Sequence, residues 1–254
     1  MSRVCAVVPV YDHEAAVGGV VAGLRGHGLP VILVDDGSRP SCARVLDALA
    51  AGDPAVRLVR LERNGGKGAA VMAGFEAAAK SGHTHVLQVD ADGQHALADV
   101  PAFLARSQQQ PDHVVCGRPL FDASVPKGRL YPRYLTHAMV WINTLSLDIP
   151  DSMCGFRVYP LAPVLPLVRS EPPGRRMDFD VELLVRLHWR GVPMAWLPTR
   201  VVYPADGVSQ FRLFRDNVLI SAMHTRLFFG MLRRAPRLIA RRWRPATDAP
   251  RVLS

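Results

Sequence analysis

The segment Val-Asp-Ala-Asp-Gly-Gln-His (89–95) concentrates the chemistry of this chain. Asp90 and Asp92 stand two residues apart, just past an apolar run, where a turn would let an ion reach both. Hard divalent cations take oxygen ligands, and Mg²⁺ is usually held by one or two carboxylates plus substrate phosphates. Gln94 adds a neutral oxygen, so Asp90, Asp92 and Gln94 are the candidate ligands for Mg²⁺ or Mn²⁺. The same acids could instead open the next helix as caps, and the pair alone does not decide between the two. A glycine cluster around Lys67 and Gly68 (Asn-Gly-Gly-Lys-Gly-Ala-Ala) leads into a helical stretch. Glycines let backbone N–H groups approach a phosphate, and a helix N-terminus favours an anion. It is not a P-loop, since Gly68 rather than Ser or Thr follows the lysine; nor is it GxGxxG, since Val71 takes the third glycine's place. A tight turn with a solvated lysine is the rival reading. Asp35 and Asp36, in Val-Asp-Asp-Gly-Ser, can accept hydrogen bonds from a base and a ribose, or form an ordinary Asp–Gly turn.

These residues fall at the ends of regularly spaced elements. Apolar runs at 5–10, 30–36, 56–61, 84–90 and 112–117 read as buried strands. Alanine- and leucine-rich stretches at about 14–26, 40–51, 67–80 and 97–109 read as helices, with Gly82 as a helix stop. Such alternation implies an α/β fold, a mainly parallel sheet covered by helices on both faces, with ligands bound beyond the strands' carboxyl ends. Past residue 117 the alternation ends. Residues 118–133 read as a basic, proline-interrupted loop, followed by helices at about 134–147 and 179–190 and a late strand at 194–204. The expected organisation is one domain over 1–217, its pattern changing near residue 117. An arginine-rich helical tail over 218–254 follows.

The chain has 254 residues, with 49% hydrophobic and 21% charged, which excludes wholesale disorder. Its formal charge of +9 suggests an anionic partner. That charge is uneven: from Arg226 onward eight arginines face one acid, Asp248. Ile220, Met223, Leu227 and Met231 fall on one helical stripe and Arg226, Arg233, Arg237 and Arg241 on another, the pattern of a helix lying on an anionic membrane surface. Packing of the apolar stripe on the body is the rival, and Pro236 is expected to separate two short helices. Cys5, Cys42, Cys116 and Cys154 make neither a zinc pattern nor a disulfide framework. With no signal peptide and no membrane span expected, the reading is a cytoplasmic protein peripheral to the membrane.

The ordered set Pro-Val-Tyr-Asp-His-Glu, Val-Asp-Asp-Gly-Ser, Asn-Gly-Gly-Lys-Gly, Val-Asp-Ala-Asp-Gly-Gln and Asp-Ser-Met-Cys-Gly-Phe-Arg resembles the family-two glycosyltransferases. The likeness is strongest to the branch of dolichyl-phosphate mannose synthase and related lipid-phosphate glycosyltransferases. It runs from about Val4 to Leu219. The resemblance implies a GT-A fold with a nucleotide-binding half to about 117 and an acceptor half over about 118–217, a UDP- or GDP-sugar donor, a divalent cation and transfer with inversion to a lipid-linked acceptor. It implies nucleotide contacts at Pro9 and Tyr11, base and ribose contacts at Asp35 and Asp36, and a glycine-rich turn at Lys67 and Gly68. Asp90, Ala91, Asp92 and Gln94 match the segment at the donor diphosphate, with Asp92 and Gln94 as the metal ligands. Arg118 matches a phosphate-contacting arginine. Asp151, Gly155, Phe156 and Arg157 match the acceptor segment, and Gly207 with Ser209 a loop closing over the phosphates. The chain departs from the pattern at His13, with Glu14 one place later than the family's glutamate. It departs again at Gln210, where a lysine is common and for which Arg212 could substitute. The Q-x-x-R-W signature of processive synthases is absent.

Sugar transfer builds negative charge on the departing diphosphate, which a cation, Lys67 or Arg212 would offset. A hydroxyl acceptor needs a general base, for which Asp151, Asp180 and Glu182 are the candidates. A phosphate acceptor needs cations instead, which Arg118, Lys127, Arg129 and Arg133 could supply. Two rival functions stand beside this one. A nucleotidyltransferase would carry its glycine-rich loop after the first strand, where this chain has Pro-Val-Tyr-Asp-His. A nucleic-acid-binding protein using the arginine-rich tail would leave the strand-end acids unexplained, since they repel a phosphate backbone.

Overall fold

In the first strand, β1 (Val4–Val10), successive side chains point to opposite sides. Cys5 and Val7 join one apolar core, while Ala6, Val8 and Val10 join a second. Both faces are buried, so the strand reads as an unbroken apolar run rather than an alternating one. The structure is a computed structural model that describes residues 2–120, 127–201 and 213–242, the side chains of 127–132, 213–214 and 242 excepted. After β1 come α1 (Glu14–Gly26), β2 (Val31–Asp35), α2 (Pro40–Gly52), β3 (Val56–Arg60), α3 (Lys67–Lys80) and β4 (His85–Gln88). A 3₁₀ turn (Leu97–Asp99) leads into α4 (Val100–Gln109), then β5 (Val114–Leu120) and α5 (Lys127–Thr144). The remainder is β6 (Arg157–Pro160), α6 (Leu161–Ser170), α7 (Phe179–Trp189), β7 (Met194–Arg200) and α8 (Leu213–Arg242).

The strands form one seven-stranded sheet in the order β3-β2-β1-β4-β6-β5-β7. All neighbours are parallel except β6, which runs antiparallel to β4 and β5. Helices α1, α2 and α4 bury their apolar stripes on one face; α3, α6, α7 and α8 bury theirs on the other. This is the α/β, mainly parallel architecture that the alternation predicts. The second half differs in detail. β5 continues to Leu120 and α5 begins at Lys127, so much of the expected loop over 118–133 is regular structure, while residues 121–126 lie outside the described set. β6 and α6 were not foreseen, and the late strand ends at Arg200.

The tail also differs from expectation. Met223, Leu227, Met231 and Leu238 are buried against the body, with Ile220 packed beside them, so the stripe considered for a bilayer is a core stripe. At Gly230 a Cβ would sit 2.6 Å from the Trp189 ring, which shows how closely α8 and α7 approach. The Arg234 guanidinium lies 4.7 Å over that ring. α8 is continuous through Pro236. A proline there forfeits one backbone bond at an exposed position, while buried Leu238 and the Arg241 Nη1 bond to the His188 carbonyl (3.1 Å) hold the next turns in place.

His224 is buried under α8, with Asn143 Nδ2 3.2 Å from its Nδ1. Burial pulls its pKa down to about 4. Between its ordinary value of about 6.5 and about 4, the unfolded chain takes up a proton that the folded one refuses. Stability is therefore expected to fall as pH drops through that window, by up to about 3 kcal/mol. Thermal melts from pH 7 to 4 should show a shallower loss in His224→Gln, and an identical slope would assign the effect to other groups.

Candidate active site

Because β1 to β4 are parallel, the turns after them meet at one edge of the sheet. The antiparallel course of β6 brings the residues before it, Asp151 to Phe156, to that same edge. The acidic pair and the glycine-rich turn are joined there. Asp36 is buried and accepts Gly65 N at 2.7 Å and Gly66 N at 2.8 Å. Burial pushes its pKa up despite those two bonds. Asp35 is buried too, accepting Ser38 N and Arg60 Nε at 2.9 Å each. A segment that sequence reasoning passed over, Gly174 to Arg176, lies across the turn. The Arg175 carbonyl accepts Ala69 N at 3.0 Å, and Arg176 Nη1 donates to Asn64 Oδ1 at 3.2 Å. Gly66 sits at φ +96°, and a Cβ there would stand 2.5 Å from the Arg175 carbonyl; at Gly68 it would stand 2.6 Å from that of Gly174. These glycines thus admit a neighbouring backbone. The N–H groups of Gly65, Gly66 and Ala69 are spent on protein acceptors rather than presented to a phosphate. The run Pro-Pro-Gly-Arg-Arg was the signal of a tight turn that could have drawn attention to this segment.

Lys67, at the start of α3, is the hub of the site. Its Nζ lies 2.7 Å from Asp90 Oδ1, 2.9 Å from Asp90 Oδ2 and 2.8 Å from Asp180 Oδ2. Burial works against the lysine's charge, but Asp180 and Asp90 outweigh it and raise its pKa above the ordinary range. Burial also opposes the Asp90 charge, and Lys67 overrides it, so this carboxyl is held well below the usual range. His95, stacked on Phe156, brings Nε2 to 3.5 Å of Asp90 Oδ2. Gly155 closes the cluster: a Cβ there would fall 2.5 Å from Asp90 Oδ2 and 2.9 Å from Lys67 Nζ. Beneath, Asp180 Oδ1 accepts Gln88 Nε2 at 3.0 Å and faces Arg157 Nη1 at 3.5 Å.

Arg157, expected at the acceptor phosphate, is fully buried inside β6. It donates to Tyr159 Oη (2.9 Å), the Asp180 carbonyl (2.9 Å) and the Ser152 carbonyl (2.7 Å). It therefore braces the floor of the site. Glu182 is buried with Arg186 Nη2 at 2.7 Å, Arg226 Nη2 at 3.1 Å and Gly174 N at 2.8 Å, so it fastens the turn over the glycines to α7 and α8. Asp151 takes the Arg133 guanidinium, the N–H groups of Met153 and Cys154 at 2.9 Å each, and His137 Nε2 at 3.5 Å. Burial opposes its charge, yet His137 and Arg133 hold its pKa down to about 2.

The other expected residues are scattered around this cluster. Pro9 is buried inside β1 in register with Val34, which leaves Tyr11 partly exposed at the strand end. Arg118 stands exposed within β5, in register with Pro198, rather than in a loop after it. Ala91 is buried, and Asp92 and Gln94 are partly exposed in a turn closed by Gln94 N on Asp92 Oδ1 at 3.0 Å. Gly207, Ser209, Gln210 and Arg212, with the side chains of Lys127 and Arg129, lie outside the described residues. Among the described residues no three His, Cys, Asp or Glu side chains gather to hold a metal unaided. Asp90 is committed to Lys67, whereas Asp92 and Gln94 offer oxygens that fit a Mg²⁺-like ion completed by donor phosphates. No helix among the described residues is long and apolar enough to cross a membrane.

The family model described as Glycosyl transferase family 2 matches residues 5–164. Undecaprenyl-phosphate mannosyltransferase of Micrococcus luteus is 28% identical over 218 residues, covering 82% of this chain and 87% of the relative. Polyprenol monophosphomannose synthase of Mycolicibacterium smegmatis is 25% identical over 223 residues, 82% of this chain and 80% of the relative. Undecaprenyl-phosphate 4-deoxy-4-formamido-L-arabinose transferase of Pseudomonas aeruginosa is 33% identical over 163 residues, 61% of this chain and under half, 46%, of the relative's own length. Among solved structures, glucosyl-3-phosphoglycerate synthase of Mycobacterium tuberculosis, in complex with Mn²⁺, UDP-glucose and phosphoglyceric acid, superposes with a TM-score of 0.64. It is 15% identical and covers 92% of this chain and 79% of its own. That likeness establishes the GT-A fold. Together with the ordered strand-end motifs and the family match over most of the sheet, it identifies the chain as a member of glycosyl transferase family 2, a glycosyltransferase.

Proposed function

We propose that this glycosyltransferase moves a sugar from a UDP- or GDP-sugar to a polyprenyl-type lipid phosphate, with inversion and with a divalent cation, at the cytoplasmic face of a membrane. The observation that carries the choice of acceptor is the state of the three candidate bases. Asp180 and Glu182 are buried in ion pairs, and Asp151 is held near a pKa of about 2. A carboxylate so weakly basic is poorly suited to take a proton from a hydroxyl, whereas a phosphate oxygen arrives already ionised. That oxygen attacks C1 from the face opposite the leaving group. The C1–O bond to the nucleoside diphosphate breaks, and its electron pair leaves on the diphosphate. A cation held by Asp92 and Gln94 would supply charge neutralisation on that diphosphate. Lys67, held between Asp90 and Asp180, has its charge balanced by them and fixes the place of both carboxylates at the same edge. Arg118, exposed on β5, is a described cation that an acceptor phosphate can reach, and Arg133, bound to Asp151, borders the segment that precedes β6. The names of the relatives, two undecaprenyl-phosphate sugar transferases and a polyprenol monophosphomannose synthase, support the same class. The test is turnover of a matched pair, a polyprenyl phosphate and the corresponding polyprenol, with UDP- and GDP-sugars. Transfer to the phosphate and none to the alcohol is expected; a preference for the alcohol would overturn the reading.

A further inference from the structure

Among the described residues, the stripe of α8 that packs on the body leaves its opposite side exposed, and that side is also apolar. Phe229 is 58% exposed, Leu232 50% and Ile239 48%, with Val218 exposed further up the helix. At about 100° per residue these four fall within about 80° of one another, on the far side from Met223, Leu227, Met231 and Leu238. Three exposed arginines, Arg215, Arg233 and Arg237, line one flank of this stripe. The partner helix α5 repeats the pattern. Asn143 joins it to α8 through His224, and its own outward residues Leu135 (67% exposed), Tyr134, Trp141 and Ile142 are apolar or aromatic. Neither helix offers a carboxylate there: α5 has none, and the sole acid of α8, Asp216, is buried.

We infer that the outward faces of α5 and α8 together form a docking surface for a bilayer rich in anionic lipid. An apolar face rimmed by cations and free of acids matches an acyl boundary under anionic headgroups. It matches poorly a water-facing surface, since monomeric proteins rarely leave such patches open. The placement is also consistent with the site, since α5 carries Arg133 to Asp151, beside the segment that backs Asp90. A lipid-borne acceptor would then reach the sheet edge along α5. This last step rests on the lipid-phosphate reading above; the docking surface itself does not.

The experiment is flotation of the full chain with phosphatidylcholine vesicles, with and without roughly one-third phosphatidylglycerol. Partition onto the anionic vesicles is expected, at least about tenfold above that onto neutral ones and weakened by salt. Phe229→Glu with Leu232→Glu, and separately Leu135→Glu with Ile142→Glu, should each cut partition by about tenfold or more. All four side chains are exposed, so circular dichroism and melting should stay those of the parent. Failure of the parent to float, or indifference of its partition to either pair, would overturn the inference. So would a parent dimer that the substitutions convert to monomer, since the face would then belong to a second copy. The two proposals fail separately. Variants that still glycosylate a short, water-soluble polyprenyl phosphate but not a vesicle-embedded one would support both. Vesicle binding by a parent that glycosylates no polyprenyl phosphate would leave the surface standing and remove the function.

Discussion

Asp180→Ala is expected to lower stability by about 3–5 kcal/mol, the cost of leaving buried charge without its partner. For a chain of this size that corresponds to a fall of about 10 °C in melting temperature. The carboxylate receives Lys67 at 2.8 Å on one oxygen and Gln88 at 3.0 Å on the other, with Arg157 at 3.5 Å. Without it, Arg157, fully enclosed in β6, keeps neutral acceptors alone from Tyr159, Ser152 and the backbone of residue 180. Lys67 would retain Asp90 as its remaining carboxylate among the described residues. Asp180→Asn, which preserves shape and the oxygen facing Gln88, should lose less. Urea denaturation of the parent and both variants measures the difference. A loss below about 1 kcal/mol for the alanine variant would mean that Asp90 suffices to hold Lys67 and that Asp180 is not a brace.

Asp92→Ala should do the reverse, sparing the fold and removing the activity. The residue is partly exposed, and its one bond within the turn is to Gln94 N. The unliganded melting temperature should therefore move little, within about 0.5 kcal/mol. In the parent, one nucleotide-sugar with Mn²⁺ is expected to stabilise the fold by about 2.7 kcal/mol at a hundred times its Kd, and EDTA should cancel the gain. The alanine variant should show no metal-dependent gain, and its transfer rate should fall about 100-fold or more. Asp90→Ala is the informative contrast. It is expected to destabilise the unliganded protein, because Asp90 neutralises Lys67. Stabilisation by donor and Mn²⁺ that survived in Asp92→Ala and vanished in Asp90→Ala would transfer the ligand role to Asp90.

The first half of the fold was legible because its elements obey one rule each. Strands buried on both faces give unbroken apolar runs, and α3 and α1 span the residues that composition marks as helical, Lys67–Lys80 and Glu14–Gly26. β6 was illegible for a physical reason. Its sequence, Arg-Val-Tyr-Pro, reads as polar, yet Arg157 is enclosed because Asp180 and Tyr159, distant in sequence or facing it in space, satisfy its charge. α8 was misjudged at Pro236 because local propensity knows nothing of Leu238 and Arg241 docking on the body beyond it. The site divides in the same way. The residue types at the strand ends were found, but their partners were not. The glycines near Lys67 looked like a phosphate cradle and instead admit the backbone of Gly174 and Arg175. Asp180 and Glu182 looked like bases, and their ion pairs with Lys67, Arg186 and Arg226 are contacts that no spacing rule encodes.

The reversed strand has a consequence for how the protein is made. β4 is flanked by β1 on one side and by β6 on the other, and β6 comes after α5 in the chain. A nascent polypeptide that has emerged only through β5 therefore holds a four-stranded sheet whose β4 edge, interior in the finished sheet, still waits for residues 157–160, and a β5 with neither neighbour in place. Such edges invite pairing with other chains, and long-range strand pairing is the slow part of folding. The strand-end turns of the first half can thus be synthesised early, yet the sheet that carries them closes only when its late, antiparallel strand slips between β4 and β5. The moment of greatest aggregation risk falls in that interval, when a chaperone would have its clearest work to do.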